Sequence, residues 1–137
     1  MQTPDGRSPA EILTDLRNGL LRLHKTLLDS ERAVYERDIA RIESPGQFLS
    51  LVMDDPWFAY LRELSMLMVQ IDERLDEEQP PAAVDSNLYL DRARAMLVPA
   101  EFGQGFGKRY FEALQRDPDV VLAHAATTRL IAGLRAG

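Results

Sequence analysis

The feature that most constrains this chain is a run of leucines at alternating short steps: Leu13, Leu16, Leu20, Leu23 and Leu27, with Val34 in the same register and Ser30 interrupting. Steps of three and four gather side chains on one side of an α-helix, which turns every ~3.6 residues. A strand alternates faces every second residue and cannot use such a stripe. The striped helix holds together in water only when other apolar surfaces cover it. A helical interior shared with further helices is therefore the expected outcome.

The flanking residues set its limits. Ser8-Pro9-Ala10-Glu11 is a helix-start signal, with Ser8 as cap, Pro9 at the first helical position and Glu11 placed to close a capping box. The helix is expected to run to about Ile42, roughly 50 Å at ~1.5 Å per residue, with a second stripe of Leu28, Tyr35, Ile39 and Ile42 in its later half. Ser44-Pro45-Gly46-Gln47 repeats the start grammar for a short helix carrying Phe48, Leu49, Leu51, Val52 and Met53. Asp55 then caps a third helix from Pro56, whose seam is Trp57, Leu61, Leu64, Met68, Ile71 and Leu75. Phe58, Tyr60, Leu67 and Val69 widen that seam until only a strip near Glu63, Gln70, Glu73 and Glu77 reads as wet, so this helix is expected at the centre of the bundle.

Pro80-Pro81 breaks the pattern. A fourth helix, capped near Asp85 or Ser86, is expected to turn Leu88, Leu90, Ala93 and Leu97 inward and to stop before Pro99. Residues 99–107, rich in glycine, read as a loop anchored by Phe102 and Phe106. A fifth helix is expected over Lys108 to Arg116, and a sixth from Asp117-Pro118 to about Leu134 with Val121, Ala125, Thr128 and Leu130 or Ile131 inward. No sustained period-two alternation appears. The fold class is all-α, an antiparallel helical bundle of about four main helices plus one or two short ones.

At 137 residues, 45% of them hydrophobic, the chain suits one core. That core is expected over residues 8–137, behind a flexible arm over 1–7. The net charge of -6 opposes contact with nucleic-acid phosphates or an anionic membrane. Residues 1–85 hold 17 acidic against 9 basic side chains, whereas residues 86–137 hold 5 against 7. The C-terminal third is thus expected to dock on an acidic first half. Without cysteine there is no disulfide or thiolate metal site, and the Met1–Gly6 start lacks the basic and apolar regions of a signal peptide. A cytoplasmic location follows as the expectation. The densest apolar stretch, Leu64 to Val69, is far short of the ~20 residues a membrane span needs.

The candidate ligand-binding set is polar and lies beside the two main seams: His24, Glu31 and Tyr35 on the first helix, Arg62 and Asp72 on the third. His24, Leu28, Glu31 and Tyr35 share one helix face. Packed side by side, the two helices would bring the five groups together, with Arg62 binding a carboxylate and His24 or Glu31 exchanging protons. The same residues also suit a network that ties helices together, and that is the reading the sequence favours. The Gly103-Gln104-Gly105-Phe106-Gly107-Lys108 stretch superficially resembles a phosphate loop but lacks the strand and the Gly-Lys-Ser/Thr of one. It leaves Lys108 and Arg109 as a candidate anion site. The residues three before His24 and His124 are Leu21 and Val121, so the Glu-x-x-His pairs of bundle metal sites are missing and no metal, cofactor or catalytic residue is assigned.

At Leu23-His24-Lys25, Asp55-Pro56-Trp57-Phe58, Ile71-Asp72-Glu73 and Leu114-Gln115-Arg116-Asp117-Pro118 the chain resembles a group of short, uncharacterised all-helical bacterial proteins with no assigned activity. The resemblance covers most of residues 10–125. It implies a bacterial cytoplasmic protein and carries over no functional residue. The function expected is that of a non-catalytic interaction or scaffold protein, acting on a protein partner or a second copy of itself as a homodimer. Its motive is the apolar surplus on the third helix, Tyr60, Met66, Leu67 and Met68. The alternative is a binder of a small anionic molecule, or an enzyme, using the polar set between the first and third helices.

Overall fold

The computed structural model describes residues 6–135. The expected arm lies outside them except for Gly6 and Arg7, whose guanidinium pairs with Asp15 at 3.2 Å. The regular structure of the described residues is helical throughout: α1 (Pro9–Asp38), α2 (Pro45–Asp54), a 3-10 turn (Pro56–Phe58), α3 (Ala59–Asp76), α4 (Ala83–Met96), α5 (Phe106–Arg116) and α6 (Pro118–Arg135). They form a helical bundle, and none is long and apolar enough to cross a membrane.

The start of α1 follows its residues: Ser8 Oγ accepts from the Glu11 amide at 3.1 Å while the Glu11 carboxylate accepts from the Ser8 amide at 3.4 Å. Its end comes earlier than the periodicity predicts. The amides of Ile39 and Ala40 both donate to the Tyr35 carbonyl, at 2.9 and 3.2 Å, and the Glu36 carboxylate accepts from the Ile42 amide at 3.4 Å. That reversal folds Ile42 back into the core and leaves Ile39 exposed.

The centre of the bundle is α1 rather than α3. Its buried residues Ile12, Leu13, Leu16, Leu20, Leu23 and Leu27 face more than one side, and α3, α4, α5 and α6 all pack on it. The outer side of α3 leaves Met66 and Val69 exposed, so the wet strip is wider than its sequence suggests. Tyr60, Leu67 and Met68 are buried, which removes most of the expected surplus.

Four local expectations are corrected. Asp85 is the third residue of α4 and not its cap: its carboxylate reaches back to the Ala82 amide at 2.8 Å, and Ser86 lies buried inside the helix. In α4 Leu90 and Ala93 are buried, as is Leu97 at its end, but Leu88 is exposed. In α6 the inward residues are Val120, Thr127, Ile131 and Leu134, while Val121, Ala125 and Thr128 are exposed. The run Val120-Val121-Leu122-Ala123 presents apolar atoms on every side, so periodicity alone does not choose the face. In the glycine loop only Phe106 anchors; Phe102 is 82% exposed, and the turns rest on the positive φ of Gly103 (95°) and Gly105 (92°).

The face of α6 is chosen by close approach to α1. Gly19 sits under Leu130, whose methyl occupies the space a Cβ would need, and Thr26, Ala123 and Ala126 keep the seam shallow beside it. Gly19→Leu adds a good helix former, yet should lower the unfolding free energy by ~1–3 kcal/mol through overpacking. Urea denaturation checks this, and equal or higher stability would contradict the close packing of α1 on α6.

Candidate functional site

Of the residues proposed from sequence, Glu31 is the one the fold surrounds. It follows Leu27 by one helical step on the leucine stripe, so its carboxylate points where an apolar side chain would otherwise sit, fully buried. Three groups meet it. The Tyr60 hydroxyl of α3 donates a short hydrogen bond to Oε2. Arg116 of α5 pairs with Oε2 at 2.6 Å and also donates to Ser30 Oγ at 3.3 Å. Arg109, two turns earlier on α5, reaches Oε1 at 3.3 Å.

Arg109 is itself held on all sides. It donates to the Trp57 carbonyl at 3.1 Å, lies 5.2 Å from the Trp57 ring and 4.8 Å from the Tyr60 ring, and pairs with Glu112 at 3.8 Å. The two guanidinium charges are thus balanced by Glu31 and Glu112. Burial, then the neighbouring Glu31 charge, push the Tyr60 phenol well above its ordinary pKa of 10.0, so it remains a proton donor. Glu31 is met by three donors, two of which also hold neighbouring groups. The arrangement ties α1, α3 and α5 together and brings two cations of the C-terminal third onto the acidic half.

The other four members of the expected set do not join it. His24 Nε2 lies 3.0 Å from Ser65 Oγ on the α1–α3 seam. Tyr35 stacks with Phe58 at 5.7 Å and Trp57 at 6.2 Å. Arg62 donates to the Val52 and Asp55 carbonyls, at 2.8 and 3.4 Å, where it satisfies the end of α2. Asp72 pairs with Arg17 at 3.1 Å. The expected convergence is therefore corrected to five separate partnerships, because the groups are strung along the α1–α3 seam and each finds a nearer neighbour. Lys108 and Arg109 part as well: Lys108 Nζ donates to the Glu101 carbonyl at 2.9 Å, away from Glu31.

Sequence reasoning left out Tyr60, Arg116 and the pair of Tyr110 with His124, whose Oη and Nδ1 lie 2.6 Å apart. Tyr60 reads as one more apolar residue on its seam, and Arg116 as a basic helix end. The usable signal was the register of Glu31 itself, since a carboxylate on a leucine stripe requires buried donors.

A cavity of about 300 Å³ opens at the edge of the cluster, lined by Tyr60, Arg109 and Glu63, and others form elsewhere. One of about 720 Å³ lies open beside Met66, Met96 and Val98, and one of about 560 Å³ lies between α4 and α6. None of His24, Glu31, Tyr35, Arg62 and Asp72 lines either. Compared with protein-family models, curated proteins and solved structures, the chain matches none of them.

Two measurements follow from these partnerships. Tyr60→Phe removes one donor to a buried charge and should cost ~1–3 kcal/mol of unfolding free energy; an unchanged denaturation midpoint would contradict the contact. Burial lowers the pKa of His24 from its ordinary 6.5, opposed in part by the Leu61 backbone. The unfolded chain therefore binds the proton more readily, and the contribution of His24 to stability is complete above that value and shrinks as pH falls through it. Between about pH 7.5 and 5.5, His24→Gln should lose less stability than the parent protein. Identical slopes would show that His24 is not buried in its neutral form.

Proposed function

We propose that the protein acts by binding and not by catalysis, as a helical interaction module that associates with a second copy of itself through α2. The observation that carries this reading is the character of that helix. Pro45 to Met53 contains no charged residue, and none of the residues of α2 is buried. Phe48, Leu51 and Val52 rest partly on the core, whereas Leu49 and Met53, one turn apart on the same face, are each 60% exposed.

Charge favours a like partner at this place. Two copies each carrying -6 repel over most of their surface, but α2 brings only Asp54 to a two-fold contact. Arg32, whose guanidinium lies 4.5 Å from the Phe48 ring, pairs with Glu36 at 3.1 Å and leaves this margin neutral. An isologous contact that lays Leu49 and Met53 on their counterparts buries apolar surface without opposing carboxylates. One ten-residue helix per copy makes a small interface, so association is weak and concentration-dependent. The setting proposed is a bacterial cytoplasm, supported by the resemblance to short helical bacterial proteins and by the lack of cysteine.

Sedimentation equilibrium tests the reading. The parent protein should show a monomer–dimer equilibrium below about 200 μM, the range of weak transient contacts. Leu49→Glu and Met53→Glu, both at exposed positions, should shift it to monomer with an unchanged circular dichroism spectrum. A parent protein that stays monomeric throughout, or variants that associate as strongly as the parent, would refute it.

A further inference from the structure

We propose that the cavity between α4 and α6 is a binding site for an amphipathic monocarboxylate, an acid with an apolar tail. Its volume, about 560 Å³, is within the range of small-ligand sites. Leu90, Leu97 and Ile131 form its floor and are almost wholly buried. Such a floor offers an apolar tail dispersion contacts and removal from water, and no hydrogen bonds.

The polar groups at the cavity select the charge of the head. Arg135 and Asp91 neutralise each other across its rim at 2.7 Å. Arg94 also lines it, with no hydrogen bond or ion pair to any described residue. The balance of charge there is positive on a chain that is negative overall. An unpaired guanidinium beside an apolar floor favours a carboxylate, which it can bind through two parallel hydrogen bonds.

His124 supplies a second donor. The Tyr110 phenol is held above its ordinary pKa by burial and meets no other acceptor among the described residues, so its hydrogen goes to His124 Nδ1, 2.6 Å away. Burial also lowers the pKa of His124, which keeps the ring neutral at physiological pH. With Nδ1 accepting, the ring hydrogen resides on Nε2, for which no described residue provides an acceptor. Thr128 offers less, because its hydroxyl already donates to the His124 carbonyl at 3.0 Å. Arg94 and His124, one cation and one neutral N–H donor, thus both line a cavity with an apolar floor. This pattern accepts an acid and disfavours an amine.

Isothermal titration calorimetry at neutral pH with octanoate, octanol and octylamine tests the assignment. Octanoate should bind saturably at one site per chain. Octanol and octylamine should bind at least about tenfold more weakly, as should octanoate to Arg94→Gln, since each loses a charge-assisted pair. Ala132→Trp, which fills the cavity from an exposed position, should abolish binding. Both substitutions lie outside the core, and their thermal unfolding should match the parent. No saturable heat with octanoate would overturn the proposal, as would equal affinity for octylamine, or octanoate affinity unchanged in either variant.

Discussion

The structure turns on one buried carboxylate. Moving Glu31 out of water costs several kcal/mol, and only closely placed opposite charges and donors offset that cost. The chain provides them from two other helices: Tyr60 from α3, Arg109 and Arg116 from α5. Because the two arginines are seven residues apart, they share a face of α5 and reach Glu31 together only in one rotation of that helix. A slip of one residue would turn both away by ~100°. The apolar face of α5, Phe106, Tyr110 and Ala113, is buried in that same rotation.

From this anchor a line of rings runs through the bundle. Tyr60 meets Phe106 at 5.5 Å, Phe106 meets Tyr110 at 5.4 Å, and Tyr110 meets His124 at 5.3 Å. The α5 residues in that line are buried, so the helix that neutralises Glu31 also presents Tyr110 to α6. The donor state of His124 beside the α4–α6 cavity thus depends on how α5 is docked. Structure and candidate chemistry share the same helix.

Much of the fold was legible where one residue type dominates a position. The Ser8 and Ser44 caps, the leucine stripe of α1 and the break at Pro80-Pro81 follow from local chemistry that tertiary contacts do not override. Where several faces were apolar, the reading failed: α6 is turned by one residue because Leu130 needs Gly19, a contact between residues far apart in sequence. The convergence of His24, Arg62 and Asp72 with Glu31 failed for a related reason. Helix spacing shows which groups share a face, but not that Arg62 is closer to the end of α2, or Asp72 to Arg17, than to each other. Glu31 of the acidic half does meet cations of the C-terminal third, Arg109 and Arg116, the second of which the sequence presents only as a helix end.

The most direct test of the anchoring role of Glu31 is a double-mutant cycle on unfolding free energy, with Glu31→Gln, Arg116→Gln and the combined variant. If the pair holds α5 in place, Arg116→Gln leaves the buried Glu31 one cation short, Glu31→Gln leaves Arg116 without its carboxylate, and the coupling energy should exceed ~1.5 kcal/mol. Additivity within ~0.5 kcal/mol would mean that α5 is held by its apolar face alone, and that Glu31 does not organise the bundle.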